Sequence, residues 1–300
     1  MTNEIFSALN DKRNRQEYLT PSELIDVCYD LLGNTTGKAL FDCATGSGQL
    51  LFKHNGVKKG CEIGENGHKM ALKNNVDCVL HDYITLDDTN IQYDYVIANP
   101  PFSIRANEEQ YNYLQSRYCF QFQKINKILD QWFVIKSFEK ATKGVYILFP
   151  GLCYRQQEDL FRRYLINNNY LSSIYWFDSC LFEDKKVNVI VILLDKNKPN
   201  NNIMFRKYDD KYKLVKEETR TTEDIKKADY KLEPPYIEQK KEQIDIDAVE
   251  DALYLEFLKG LQNDISNFLF VKETLGGYKH FTKERFKTDL MRIVVELPSR

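Results

Sequence analysis

The chain has 300 residues, 43% apolar and 29% charged, enough for one large core or two modest ones in an ordinary globular enzyme. A formal charge of −2 and a pI near 6.2 do not announce a nucleic-acid binder, although a local basic face can sit on a neutral protein. The seven cysteines are odd in number and form no Cys-x-x-Cys pair, which argues against a zinc site and against a disulfide framework. No metal is expected. The N-terminus lacks a signal-peptide core, and the longest apolar run, VIVILL at 189–194, is far shorter than the roughly 20 residues of a membrane span. A soluble cytoplasmic protein with no membrane partner is the expectation.

A polar leader, 1–17, precedes YLTPSELIDVCYDLLGN. Thr20 as N-cap, Pro21 at the first helical position and Glu23 closing a capping box predict a helix start. Leu24, Val27, Cys28 and Leu31 supply its apolar face, and Gly33 its C-cap. KALFDCATGSGQLL reads as a short buried strand, a Gly-bearing turn and a helix start. GVKKGCEIGENGHKMALKN reads as a strand ending near Glu62 and then a helix. VDCVLHDYI is a third strand with Asp82 at its end, and YDYVIANPPF a fourth.

Residues 127–142 carry a helical apolar period, 144–150 a fifth strand, and RQQEDLFRRYLINNN an amphipathic helix. LSSIYWFD and KVNVIVILLDK are two further strands, too close in sequence for a crossover helix, so they pair antiparallel. Alternating strands and helices predict an α/β fold: a doubly wound, mainly parallel, seven-stranded sheet with an antiparallel end strand. The domain spans 18–198. From 199 to 300 the chain is read as a charged, partly helical appendage, with an amphipathic helix over 248–262.

The chemistry gathers at strand ends, where ligands of open α/β sheets bind. The turn in DCATGSG, Asp42 to Gly48, lets the backbone approach a ligand and offers its amides to a polar group. The Rossmann pattern G-x-G-x-x-G is not met, so no dinucleotide is implied. Glu62 can accept both hydroxyls of a ribose, and Asp82 an adenine amino group. Either acid taken alone reads equally as a solvated strand end.

Asn99-Pro100-Pro101-Phe102 is stiff, because proline fixes its own φ and restricts the residue before it. The Asn99 side-chain oxygen and the Pro100 carbonyl can aim at one NH2 group. Two such acceptors would stabilise the positive charge that develops as a conjugated amine attacks, and Phe102 could stack on its ring. The plainer reading is a Pro-rich strand exit with a buried Phe.

Taken in order, DCATGSG, Glu62, Asp82 and NPPF resemble an S-adenosylmethionine-dependent methyltransferase acting on an exocyclic or amide nitrogen. EYLTPSELIDVCYDLL resembles the Tyr-x-Thr-Pro element of gamma-order N6-adenine DNA methyltransferases. The stretch from GVYILF to VILLDK is similar in layout to modification subunits of type I restriction systems. The resemblance covers roughly 16–195. It implies a Rossmann-like catalytic domain that methylates N6 of a flipped adenine in DNA. Tyr18, Thr20 and Pro21 would flank the cofactor, S-adenosylmethionine. Asp42, Ala44, Gly46 and Gly48 would cradle it, with Glu62 on its ribose and Asp82 on its adenine. Asn99, Pro100 and Phe102 would hold the target base, and no metal is needed.

Two departures accompany the resemblance: only 17 residues precede Tyr18, and the segment after the core is short for a target-recognition domain. Both imply that a separate specificity subunit chooses the DNA sequence, beside a nuclease subunit. Pro101, Arg117 and Lys124 are the candidate substrate contacts, the last two in an aromatic-rich loop over 108–124 that reads equally as a helix packed on the core. Two alternatives stay open: N-methylation of ribosomal RNA guanine or of a protein glutamine, and a non-catalytic DNA-binding subunit with this fold.

Overall fold

Each central strand is an unbroken apolar run, as a strand covered on both faces and both edges requires. Val96, Ile97 and Ala98 have no exposed surface, nor have Val145 to Leu148. The structure, a computed structural model, describes residues 19–122, 124–182 and 185–235. Tyr18, the leader and the helix read over 248–262 lie outside the described residues.

In chain order the elements are α1 (Ser22–Leu32), β1 (Leu40–Asp42), β2 (Lys58–Glu62), α2 (Glu65–Lys73), β3 (Asp77–Leu80), β4 (Tyr95–Ala98), α3 (Glu108–Tyr118), α4 (Asp130–Phe138), β5 (Lys143–Leu148), α5 (Asp159–Asn167), β6 (Leu171–Phe182), β7 (Lys185–Asp195), β8 (Asn202–Tyr208), β9 (Leu214–Thr221) and α6 (Thr222–Lys227). They build one sheet in the order β3-β2-β1-β4-β5-β7-β6-β8-β9. Strands β1 to β5 pair parallel. Strand β7 runs antiparallel to both β5 and β6.

The sheet has nine strands, not the expected seven. The additional pair, β8 and β9, comes from the charged segment read as an appendage. Strand β8 pairs parallel with β6, and β9 closes the edge antiparallel. The charges hid them: β9 (LVKEETRT) has no fully buried position, so its pairing leaves little apolar alternation to read. Between Lys198 and Pro235 the chain also buries Ile203, Phe205, Ile225 and Leu232 in the core.

Alternation along the strands divides the core between the two faces of the sheet. Phe41, Val96, Ala98, Tyr146, Leu148, Ile190 and Ile192 join α4 and α5 in one cluster. Leu40, Ile97, Val145, Ile147, Val189 and Val191 join α1 in the other. The seven cysteines are free, and Cys119 is the exposed one. Among the described residues no helix is long and apolar enough to cross a membrane.

Two local expectations are corrected, and one alternative left open is decided. Thr20 does not cap α1: the helix starts at Ser22, with Pro21 at the N-cap position and no side-chain cap. The Pro21 carbonyl accepts from Leu24 and Ile25 N–H instead, each at 3.1 Å. The Gly turn leads not into a full helix but into a single 3-10 turn, Gln49–Leu51. Residues 108–118, one of the two readings of the aromatic segment, are helical. Asn107 caps that helix in a box with Gln110, and Tyr118 and Phe122 pack against Trp132 with ring centroids 5.2 and 5.3 Å away.

Candidate active site

The chain runs from β1 outward to β2 and β3, then returns to place β4 on the other side of β1. That reversal opens a crevice at the carboxyl ends of the strands. A cavity of about 580 Å³ lies there, lined by Thr20, Asp42, Ala44, Gly46, Glu62, Asp82 and the whole of Asn99 to Phe102. Its size is that of a small-molecule cofactor site. Most of the residues singled out in the sequence thus meet at one place, although they are spread over 80 positions. Pro21, Gly48, Arg117 and Lys124 are not part of the lining. Arg117 pairs with Glu139 at 2.7 Å.

The glycines shape the cradle. Gly46 and Gly48 have φ of 53° and 82°, the left-handed region that side chains disfavour. A Cβ on Gly48 would also meet Val76 at 2.9 Å. The Glu62 carboxylate closes the turn from outside: its two oxygens accept from Gly46 and Gly64 N–H, both at 2.7 Å.

Asp42 is buried, and one of its oxygens accepts from Ala44 N–H at 3.0 Å. Burial pushes its carboxyl up to about 7; the Ala44 hydrogen bond lowers it and the Glu62 charge raises it. Asp82 is held by two donors, Ile84 N–H at 2.9 Å and Gln110 Nε2 at 2.6 Å.

Asn99 is oriented from one side only. Its Nδ2 donates to Thr20 Oγ1 at 3.1 Å, while its Oδ1 is buried and has no hydrogen-bond partner among the described residues. A buried acceptor without a donor costs on the order of 1–3 kcal/mol, and Asn99 is one of the residues that line the cavity. The lining also includes the apolar side chains of Phe102, Ile104, Leu129 and Phe133. The loop after Phe102 is held in a strained form: Ser103 has φ 56°, and its N–H donates to the buried Asp130 at 2.7 Å.

Sequence reasoning missed Gln49, Gln110 and Asp130. Gln49 binds both backbone polar atoms of Thr20 at 2.9 Å. Gln110 left a readable trace, the Asn-x-x-Gln capping pattern at 107–110. Gln49 and Asp130 left none, since their partners are remote in the chain.

The residues present fit S-adenosylmethionine. Asp42, Glu62 and Asp82 in the lining are acceptors of the kind that its hydroxyl, amino and adenine N–H donors require. Fold and acceptor set together define the S-adenosylmethionine-dependent methyltransferase class. The chain belongs to the N-6 DNA methylase family, whose model matches residues 5–246.

A curated relative, the type I restriction enzyme MpnII methylase subunit of Mycoplasma pneumoniae, is 24% identical over 236 residues, covering 66% of this chain and 43% of that protein. The chain thus spans less than half the length of that relative. A type I restriction-modification methyltransferase subunit from Streptococcus thermophilus superimposes with TM-score 0.63 at 18% identity, covering 73% of this chain and 59% of that one. A putative class I S-adenosylmethionine-dependent methyltransferase from Listeria monocytogenes does so with TM-score 0.50 at 13% identity, covering 59% and 60%. At these identities the two structures share the fold with this chain.

Proposed function

We propose that this chain transfers a methyl group from S-adenosylmethionine to the N6 amino group of an adenine flipped out of DNA, within a restriction-modification system. The observation that carries the reading is the buried Asn99 oxygen, without a partner among the described residues, on a residue that lines the same cavity as Asp42, Glu62 and Asp82. An acceptor there suits a target that brings N–H groups, as an exocyclic amine does.

When bound, S-adenosylmethionine supplies an electrophilic methyl group on a sulfonium that leaves as a neutral thioether. Asp42, Glu62, Asp82 and the turn around Gly46 hold it. Asn99 Oδ1 and the Pro100 carbonyl accept the two N–H bonds of the target amine and stabilise the positive charge that grows on nitrogen. Phe102, with Ile104, Leu129 and Phe133, offers the extruded base an apolar slot that replaces part of its lost stacking. The prolines hold the acceptors still, so little reorganisation accompanies transfer.

The similar chains are named as subunits of type I systems. On that basis DNA, a separate specificity subunit and a nuclease subunit are the proposed partners. In this reading Arg117 and Lys124 face the DNA backbone.

The test is methyl transfer from labelled cofactor to mixed-sequence duplex DNA, alone and with a specificity subunit. Asn99→Ala is expected to lower the transfer rate roughly 100- to 1,000-fold while calorimetry finds cofactor affinity preserved. A wild-type chain that neither transfers to DNA nor binds the cofactor sinks the proposal. Transfer to ribosomal RNA or to a protein amide, and not to DNA, redirects it to that substrate.

A further inference from the structure

Thr20 does more than border the cavity. An asparagine amide has a donor end and an acceptor end of nearly equal shape, so packing alone does not choose which one meets a target. Hydrogen bonds to the amide hold it in one orientation. Here the Thr20 hydroxyl oxygen accepts from Asn99 Nδ2 at 3.1 Å, across 79 residues of chain, and Oδ1 is the atom left over.

We propose that Thr20 is a positioning residue for methyl transfer: it holds the Asn99 amide in place through Nδ2 and leaves Oδ1 for the target amine. The inference rests on the function proposed above.

Three features make Thr20 suited to this. It is 6% exposed, so no water competes freely for its hydroxyl. Its branched Cβ restricts χ1. Its backbone is clamped by Gln49, whose Oε1 accepts from Thr20 N–H and whose Nε2 donates to Thr20 O, both at 2.9 Å. A carboxamide bound to both polar backbone atoms of one residue fixes that residue in place. Gln49 itself follows Gly48, φ 82°, in the cofactor turn. The path from Gly48 through Gln49 and Thr20 to Asn99 therefore links the cofactor cradle to the acceptor.

Thr20→Val keeps the shape of the side chain and removes its oxygen; Thr20→Ser keeps the oxygen. In single-turnover assays with saturating cofactor and duplex DNA, Thr20→Val is expected to lower the transfer rate roughly 10- to 100-fold. Its cofactor affinity stays within about threefold of wild type, and Thr20→Ser recovers most of the rate. A Thr20→Val enzyme as fast as wild type overturns the proposal. So does one that loses rate and cofactor affinity together, since Thr20 is then only a wall of the cofactor site.

The side-chain amide resonances of Asn99, assigned by their loss in Asn99→Ala, give a readout independent of turnover. They should shift and exchange faster with solvent in Thr20→Val but not in Thr20→Ser; resonances unmoved in Thr20→Val overturn the proposal. If the wild-type chain transfers no methyl group, the functional reading fails and the amide resonances decide the positioning role by themselves.

Discussion

Asp42 ends β1 inside the protein, 1% exposed, with a carboxyl raised to about 7 chiefly by burial. In the unfolded chain the same group titrates near 3.9. Between roughly pH 4 and 7 the folded chain therefore holds a proton that the unfolded chain has released, and stability falls as pH rises through that window. Asp42→Asn keeps an acceptor for Ala44 N–H and removes the charge. It should make the cofactor-free protein more stable than wild type by a few kcal/mol at pH 8, with the gap closing toward pH 4; urea unfolding at the two pH values checks this. The sign reverses for the cofactor, whose sulfonium and amino group are cationic and favour the ionised carboxylate. Its affinity for wild type should weaken below pH 7 by up to about tenfold per unit, and in Asp42→Asn this dependence should flatten. An acid at a strand end was legible from the sequence. That burial holds its proton near neutrality was not, because that depends on what covers it.

Among the elements, α2 lies closest to the cradle. A Cβ on Gly67 would meet Glu62 Cγ at 3.1 Å and the Gly46 carbonyl at 3.2 Å. Neither can yield easily, since two backbone N–H groups hold Glu62. Gly67→Ala should therefore displace Glu62 or push α2 off the turn, weakening cofactor binding about tenfold or more in calorimetry. Gly37→Ala is the contrast: φ is 71° with no neighbour within 4 Å, so it should lower stability by about 1 kcal/mol and leave cofactor affinity alone. The element types were largely readable from period and Pro/Gly placement; the caps were less so. Thr20 followed by Pro21 looks like a helix start because local rules favour it. The hydroxyl instead bonds Asn99, a partner that no local pattern announces.

For the whole molecule the boundary near residue 198 matters most. Strand β6 lies between β7 and β8 and carries Ile174, Trp176 and Phe177, all buried. A chain ending at Lys198 would leave that strand as an open apolar edge, and would lose Ile203, Phe205, Ile225 and Leu232 from the core. Such a chain should aggregate where the full chain does not, as size-exclusion chromatography would read; an open apolar strand is a template for pairing.

From the sequence alone came the α/β class, the acids placed at consecutive strand ends and the stiffness of NPPF, because period, turn chemistry and the φ of proline are local properties. Tertiary structure decided the rest: β8 and β9 in the sheet, Gln110 on Asp82, Gln49 on Thr20, and Thr20 on the donor end of the Asn99 amide. Each of these is a hydrogen-bonding choice between partners far apart in the chain, and only the folded backbone brings those partners within reach.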